Sequence, residues 1–274
     1  MESQVSVIIP NHNYARYIEK TIDSVLGQTH SNLEIIVVDN GSTDHSIEIL
    51  NSYGRRIRTI LQENLGQAVA RNRGLKVANG EYIALLDADD YWEPDKIEKQ
   101  LALISSDSQL IYSGIRQFDS TTGKTLRFFS PAFSGDCKKA FLENPNRAVV
   151  LGGESTALFT RRLSAIVGDF NTSLNSASGR DFYRRCSKHT NFLFVDEPLV
   201  NYRSHNNNLS ANSRHVMNDT LKAYEILFED PEWLFAKNFQ KNCMLQLYRS
   251  FIKTSLRNFD LIGAFRDYRR MLNL

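Results

Sequence analysis

The sequence predicts an α/β protein built on a parallel sheet with helices on both faces. Over roughly the first hundred residues, short apolar runs alternate with segments whose apolar residues recur at helical spacing. The runs are apolar at consecutive positions, which is typical of strands that are buried on both faces. Polar or acidic residues follow several runs, and such sheets bind ligands at the carboxyl ends of their strands.

Four strands and four helices account for this first part of the chain. The predicted strands are Val5–Ile9, Leu33–Val38, Ile57–Leu61 and Tyr82–Leu86. The helices that follow them are predicted from Ile18 to Leu26, through Ile47 and Leu50, from Gln67 to Val77, and from Pro94 through Ile104. Pro10 closes the first strand, and the turn after Asp39 precedes the second helix.

Composition agrees with a soluble globular protein. The chain has 274 residues, 42% of them hydrophobic, which is enough for a full α/β core and an accessory segment. It has no N-terminal apolar stretch of signal-peptide length and no run near the roughly 18 residues that span a bilayer. The three cysteines are far apart and lack zinc spacing, so we expect reduced thiols and a cytoplasmic location.

Three carboxylates follow the fourth predicted strand directly. Asp87, Asp89 and Asp90 would repel one another unless a cation compensates them. An Asp-x-Asp step offers hard oxygen ligands to Mg²⁺ or Mn²⁺ and leaves coordination positions for phosphate. A solvated acidic loop is the alternative for the cluster. Asp90 is expected to face solvent or to cap the segment leading to Pro94.

Four segments, in this order, resemble the motifs of family 2 glycosyltransferases. SVIIPNHNY (6–14) resembles their opening motif, and IVVDNGSTD (36–44) resembles their second block. NLGQAVARNRG (64–74) resembles the third block, and the acidic cluster resembles the Asp-x-Asp motif of the family. The resemblance implies the GT-A fold, a nucleotide-activated sugar donor and inverting transfer to an acceptor hydroxyl.

The first two motifs are expected to bind the nucleotide. Pro10 and Asn11 lie at the end of the first strand, in the same predicted crevice as Asp39. By the resemblance, Asp39 would accept a hydrogen bond from the base, such as the imide N–H of uracil. The alternative for Asp39 is that it only starts the turn through Ser42.

The third and fourth motifs supply further donor contacts by the same resemblance. Asn64 and Arg71 would face the nucleotide, although Arg71 could also be a solvent-facing helix residue. Asp87 would reach the ribose or the metal, and Asp89 would hold the metal.

The segment YRSHNNNLS (202–210) resembles the closing motif of the family's catalytic domain. The resemblance implies that His205 completes the metal's ligand set and that Arg203 and Ser210 meet the diphosphate. The expected cofactor is Mn²⁺ or Mg²⁺, and a neutral imidazole suits Mn²⁺ better.

The general base is predicted to be Asp181. The family usually supplies the base from a Glu-Asp pair, and that pair is absent from the corresponding stretch SASGRDFYRRC. Aligned on Arg185, Gly179 matches the base position, whereas a two-residue shortening would place Asp181 there. Asp181 is also the only carboxylate between Asp169 and Asp196. The alternatives are that Asp181 only caps the following helix, or that the chain is an inactive or nonenzymatic binding protein.

Two units are expected. Residues 1–212 would form the catalytic domain, with a nucleotide-sugar-binding half (1–100) and an acceptor-side half (101–212) that includes an unassigned, variable stretch from Ser113 to Pro145. Residues 213–274 would form a helical extension.

The helical extension is strongly basic. The segment from Lys237 onward contains eight basic and two acidic residues, a net charge of +6 in a chain whose total net charge is +2. Such helices can lie on an anionic membrane, which would allow peripheral association with the inner face of the cytoplasmic membrane. The alternative is packing on the catalytic domain. The predicted apolar stripe consists of Leu245, Tyr248, Ile252, Leu256 and Phe259.

The predicted function is inverting transfer from a nucleotide sugar, with a UDP-sugar favoured. The expected acceptor is a glycan or lipid-linked glycan in surface polysaccharide synthesis, and no nucleic-acid partner is expected. A nucleotidyltransferase is less favoured, because no Gly-rich loop with Arg or Lys follows the first strand.

Overall fold

The computed structural model describes residues 2–106, 109–205, 208 and 213–274. The strands are β1 (Val5–Asn11), β2 (Leu33–Asn40), β3 (Arg58–Gln62), β4 (Tyr82–Leu85), β5 (Tyr91–Trp92), β6 (Leu110–Asp119), β7 (Thr125–Phe129), β8 (Leu158–Thr160) and β9 (Phe192–Ser204). The helices of the catalytic part are α1 (Ala15–Leu26), α2 (Ser46–Ser52), α3 (Gln67–Val77), α4 (Lys96–Leu101), α5 (Lys138–Glu143), α6 (Arg161–Val167) and α7 (Ser178–Cys186). The C-terminal helices are α8 (Ser213–Glu229), α9 (Lys237–Arg257) and α10 (Leu261–Leu272).

One sheet organises the molecule. Its strand order is β3-β2-β1-β4-β8-β6-β9-β5, and β7 pairs with β6 outside this path. The first four strands are parallel where they pair, and β6 and β9 are parallel as well. β8 runs antiparallel to both β4 and β6 and so joins the two parallel groups. The predicted α/β fold with a parallel sheet flanked by helices is confirmed.

The two faces of the sheet bury alternate residues of each strand. Ile8 and Ile36 lie in the core on one face, while Val7 and Ile9 lie in the core on the other. Both faces are covered, which explains the continuous apolar runs in the sequence. Helix α3 packs so closely on β1 that a Cβ at Gly74 would collide with the side chain of Ile8.

The stretch from Ser113 to Pro145 contains regular structure that the sequence did not reveal. It holds most of β6, all of β7 and helix α5. Four of the five β7 residues are exposed, so no apolar pattern marks this strand. Its backbone pairing with β6 determines it instead.

The C-terminal helices have a core of their own around Trp233. Helix α9 contributes Cys243, Met244, Leu247 and Phe251 to this core. The predicted stripe is therefore wrong as a packing face, because Leu256 and Phe259 are exposed and only Tyr248 of the five is buried. The division at residue 212 stays a prediction. Within the described ranges, no helix combines the length and apolar character that crossing a bilayer requires.

Candidate active site

Two residues that are predicted to bind the nucleotide lie together at the carboxyl ends of β1 and β2. Asn11 and Asp39 are register partners on these parallel strands, and both are buried. The Asn11 amide Nδ2 donates to Asp39 Oδ2 over 2.7 Å. Pro10 lies within β1 directly before this pair. The expectation that these residues share one crevice agrees with their placement.

Asp39 also holds the turn that follows its strand. The backbone N–H of Ser42 donates to Asp39 Oδ1 over 2.9 Å, and the Ser42 hydroxyl donates to Oδ2 over 2.6 Å. The turn reading is therefore correct, and it leaves ligand binding untested. The carbonyl oxygen of the Asn11 side chain is buried and has no hydrogen-bond partner among the described residues. Buried polar atoms are usually paired, so this oxygen marks a place where a ligand could donate.

Asn64 lies beside the same edge and contacts residues of the first two motifs. Its side-chain oxygen accepts a hydrogen bond of 2.8 Å from Asn40, and its nitrogen lies 3.1 Å from His12 Nε2. His12 and Asn40 were not predicted as site residues. Their only sequence signal was their position beside Asn11 and Asp39.

Arg71 lies in a buried charge cluster. Its guanidinium is 1% exposed, so the alternative of a solvent-facing arginine is wrong. Nη2 lies 3.0 Å from Asp87 Oδ1, and Nη1 lies 2.9 Å from Glu154 Oε1. Arg71 therefore joins the Asp-x-Asp motif to a carboxylate from the second half of the chain. Its predicted contact with a nucleotide stays a prediction.

The surroundings of Asp87 in this cluster raise its pKa. Burial, with the charges of Glu154 and Asp89 added to it, raises the pKa of the Asp87 carboxyl to about 7, and Arg71 only partly opposes this. Carboxylates crowded in a poorly solvated place favour the neutral form unless positive charge is supplied.

Asp89 contacts His205 and Arg203, two residues of the closing motif. His205 Nε2 lies 2.9 Å from Asp89 Oδ2, as the prediction of a shared site requires. Arg203 Nε donates to the backbone oxygen of Asp89 over 2.7 Å, and its guanidinium packs on Tyr17 at 4.6 Å and on Phe118 at 4.9 Å. Ser210 lies outside the described residues.

Asp90 does not face solvent and does not cap the following segment, so that expectation is wrong. It is 1% exposed. Its carboxylate accepts hydrogen bonds from the Arg203 backbone N–H (3.0 Å) and the Ser155 hydroxyl (2.7 Å). Burial and the neighbouring Asp89 and Asp87 charges raise the pKa of Asp90 well above its usual range.

The described residues contain no ready-made cluster of three or more His, Cys, Asp or Glu side chains that could hold a metal. Of the three predicted ligands, Asp89 and His205 are in contact, while Asp87 pairs with Arg71. A carboxylate and an imidazole within 2.9 Å are a chemically suitable pair of ligands for Mn²⁺. The donor set fits a divalent cation, provided that these side chains turn toward it.

Asp181 lies in different surroundings. Its side chain is 2% exposed, with Oδ1 2.9 Å from Arg184 Nη2 and Oδ2 2.9 Å from Arg185 Nε. It makes no capping bond at the start of α7, so the capping alternative is wrong. Both oxygens serve ion pairs, which does not favour a catalytic base, and the prediction itself stays untested.

Glu154 is a further residue of this cluster that was not predicted from the sequence. A Cβ built on Gly179 would lie 2.7 Å from the carboxyl carbon of Glu154. Glu154 therefore fills the space that a side chain at position 179 would need. The available signal was a charged residue at the end of a Gly-Gly pair, shortly before the buried run Ala157–Phe159.

Comparisons with known proteins identify the family and the fold. Residues 6–158 match the family described as "Glycosyl transferase family 2". An uncharacterized glycosyltransferase of Rickettsia typhi is 31% identical over 276 residues, which cover 98% of this chain and 83% of that protein.

Higher identity occurs over shorter stretches. The putative teichuronic acid biosynthesis glycosyltransferase TuaG of Bacillus subtilis is 52% identical over 101 residues, 35% of this chain and 40% of TuaG. The chain thus matches about 40% of the length of this relative.

Two solved structures share the fold. S. aureus TarS 1-349 in complex with UDP-GlcNAc has a TM-score of 0.63 at 15% identity, covering 98% of this chain and 90% of that one. The mannosyltransferase PcManGT from Pyrobaculum calidifontis, in complex with GDP-Man and Mn²⁺, has a TM-score of 0.64 at 16% identity, covering 99% and 84%. The TM-scores support the shared GT-A fold, and identities this low leave the ligands of this chain open.

Proposed function

We propose a specific reaction for this chain, which belongs to glycosyl transferase family 2. It moves a sugar from a UDP-sugar to a hydroxyl group of an acceptor glycan, with inversion at the anomeric carbon. The acceptor belongs to a growing surface polysaccharide or to a lipid-linked glycan.

The observation that carries this proposal is the Asn11–Asp39 pair beside the Asp87–Asp89 cluster at one end of the parallel strands. Asp39 offers a carboxylate to the imide N–H of a uracil base, and the unpaired oxygen of Asn11 lies next to it. TarS, which has the same fold, was solved with UDP-GlcNAc, and this supports the choice of a uridine nucleotide.

The proposal includes a divalent cation near the Asn11–Asp39 pair. Asp89 and His205 would hold it, with Asp87 as the further ligand. The ion would supply positive charge to the diphosphate, which otherwise faces Asp87 and Asp89. The Mn²⁺ in the PcManGT complex supports this choice. Arg203 keeps the Asp89 backbone in place through the 2.7 Å hydrogen bond described above.

The acceptor is proposed to enter from the β6–β7 side. An open cavity of about 620 Å³ lies there, lined by residues that include Phe128, Gly153 and Tyr202. Gly153 links this cavity to the donor side, because a Cβ at Gly153 would lie 3.5 Å from Asp87 Oδ2. The name of TuaG, which refers to teichuronic acid biosynthesis, supports a cell-surface polysaccharide as the product.

The test is a thermal-shift panel of UDP, GDP, CDP and dTDP, each with and without Mn²⁺. We expect UDP with Mn²⁺ to give the largest shift, since a ligand at 100 times its dissociation constant adds about 2.7 kcal/mol of stability. Asp89→Asn should abolish the metal-dependent part of the shift, whereas Asp136→Asn, an exposed control, should keep it. An unchanged shift in Asp89→Asn would disprove the metal assignment.

Turnover separates the remaining alternatives. Release of UDP from a labelled UDP-sugar, with label appearing in acceptor glycan, supports the transferase. Binding without turnover would indicate a nonenzymatic binding protein, and pyrophosphate formation from UTP and a sugar phosphate would indicate a nucleotidyltransferase.

The C-terminal helices are proposed to lie on an anionic membrane at its cytoplasmic face. Helix α10 and the residues before it expose large apolar side chains: Phe259 (90%), Ile262 (84%), Leu261 (68%) and Phe265 (63%). Arg266, Arg269 and Arg270 accompany them on the same helix. Exposed apolar residues flanked by arginines are typical of helices that lie in the membrane interface. The three buried, unpaired thiols fit a reducing compartment.

Vesicle sedimentation tests the membrane proposal. Ile262→Asp/Phe265→Asp should lose binding to vesicles that contain phosphatidylserine, because it removes apolar contact from the proposed interface. Ile166→Asp alters a 49% exposed residue of α6 and serves as the control. Each basic residue near such a surface contributes about 1 kcal/mol, so binding should also fall as salt rises. Equal vesicle binding by all three proteins would contradict the proposal.

A further inference from the structure

We propose that Glu154 is the general base of the transfer reaction. This inference rests on the transferase activity proposed above, and it assigns the proton-accepting carboxylate to the segment before β8 instead of helix α7.

The first support is position. Gly179 aligns with the family's base position when the sequences are aligned on Arg185, and the Glu154 carboxyl group occupies the space beside its Cα. Residues two apart on a helix lie about 200° apart around its axis. Gly179 therefore faces Glu154, while Asp181 points to the other side of α7, where Arg184 and Arg185 hold it.

The second support is the availability of one carboxylate oxygen. Glu154 Oε1 is fixed by Arg71 Nη1 at 2.9 Å. Within the described part of the chain, Oε2 makes no hydrogen bond or ion pair. A carboxylate that is oriented through one oxygen and available through the other can accept a proton from a bound hydroxyl group.

The third support is the cavity that Glu154 borders. It measures about 130 Å³ and is lined by residues that include Val150, Gly153, Gly179 and Tyr183. The Tyr183 side chain is 3% exposed, and its hydroxyl is buried without a partner among the described residues. An unpaired hydroxyl beside a carboxylate suits the hydroxyl groups of a sugar acceptor.

In the proposed step, one proton moves to Glu154 and one sugar moves to the acceptor. The acceptor oxygen forms a bond to the anomeric carbon while its proton passes to Glu154 Oε2. The bond between the anomeric carbon and the diphosphate oxygen breaks, and the nucleoside diphosphate leaves with the bonding electron pair. Arg71 keeps Glu154 in place and joins it to Asp87 on the donor side.

The principal test is Glu154→Gln, which keeps the shape and an oxygen for Arg71. We expect kcat for transfer to fall about 10²- to 10⁴-fold, the usual contribution of a general base. The dissociation constant for UDP with Mn²⁺ should stay within about threefold of wild type. Glu143→Gln, on the exposed end of α5, is the matched control. Near-wild-type turnover in Glu154→Gln, or loss of UDP binding together with turnover, would overturn the proposal.

Relocating the carboxylate provides a second test. Glu154→Ala should be as slow as Glu154→Gln, and Glu154→Ala/Gly179→Asp should recover at least tenfold in kcat, because the new side chain fills the same space. A folded double variant without recovery would overturn the proposal, as would loss of turnover in Asp181→Asn beside normal turnover in Glu154→Gln. Wild-type protein that neither binds nucleotides nor transfers sugar would instead refute the proposed function.

Discussion

The buried carboxylates on the two sides of helix α7 differ in how many positively charged partners they have. On the packed side, Asp181 and Asp230 are matched by Arg184, Arg185 and Lys188. On the site side, carboxylates outnumber cations: Asp87, Asp89, Asp90 and Glu154 gather around Arg71 and Arg203.

The pKa values follow this difference. Hydrogen bonds from Lys188 and Arg184 keep the pKa of Asp230 below its usual value despite the opposing effect of burial. Burial and like charges raise the pKa of Asp87 and Asp90. Paired carboxylates serve the fold, whereas an excess of buried negative charge costs stability until a cation arrives. The excess therefore lies where we propose that metal and substrate bind.

The largest expected effect on stability lies on the packed side. Asp181→Asn should lower the free energy of unfolding by about 3 kcal/mol, because it breaks two buried ion pairs and leaves their arginines undercompensated. Urea unfolding measures this change. Asp169→Asn, a nearby exposed residue, should unfold like wild type. A stable Asp181→Asn protein would show that the packed side does not depend on this charge balance.

The edge of the sheet that carries Asn11, Asp39 and Asp89 was predictable, because the sequence patterns that indicate it are local. Parallel strands buried on both faces give continuous apolar runs, and the residues after them must lie at one edge. The predicted bounds of α3, Gln67 to Val77, are the observed ones. The contacts of Asn11 with Asp39 and of Asp89 with His205 also agree with the predicted grouping.

The surroundings of Glu154 were not predictable in the same way, because segments that are distant in the sequence form them. Glu154 reaches Arg71 from 83 positions further along the chain, and no local pattern announces that contact. In the sequence, Asp90 cannot be distinguished from the other two acids of the cluster. In the structure, its carboxylate is buried and accepts hydrogen bonds from Ser155 and the Arg203 backbone. In α9, Cys and Met residues contribute to the buried face, and the predicted apolar stripe was displaced from it.

A smaller effect is expected on the site side, where the stability of the metal-free protein should depend on pH. Asp87 and Asp90 have folded-state pKa values above their unfolded values, so in metal-free protein the folded state binds more protons between about pH 4 and 7. Stability should therefore increase as the pH falls from 8 toward 5.5, and the melting temperature should rise by a few degrees. The packed side does not share this trend, since Asp230 loses its contribution only below about pH 4.

Asp90→Asn should flatten this pH dependence, because a neutral amide replaces one of the crowded carboxylates. Asp136→Asn should leave it unchanged, since that side chain is 60% exposed. Saturating Mn²⁺ should weaken the trend in wild type by supplying the missing positive charge at high pH. A melting temperature that falls on acidification from pH 8 to 5.5 would mean that the site side carries no excess negative charge, and the contrast between the two sides of α7 would then be lost.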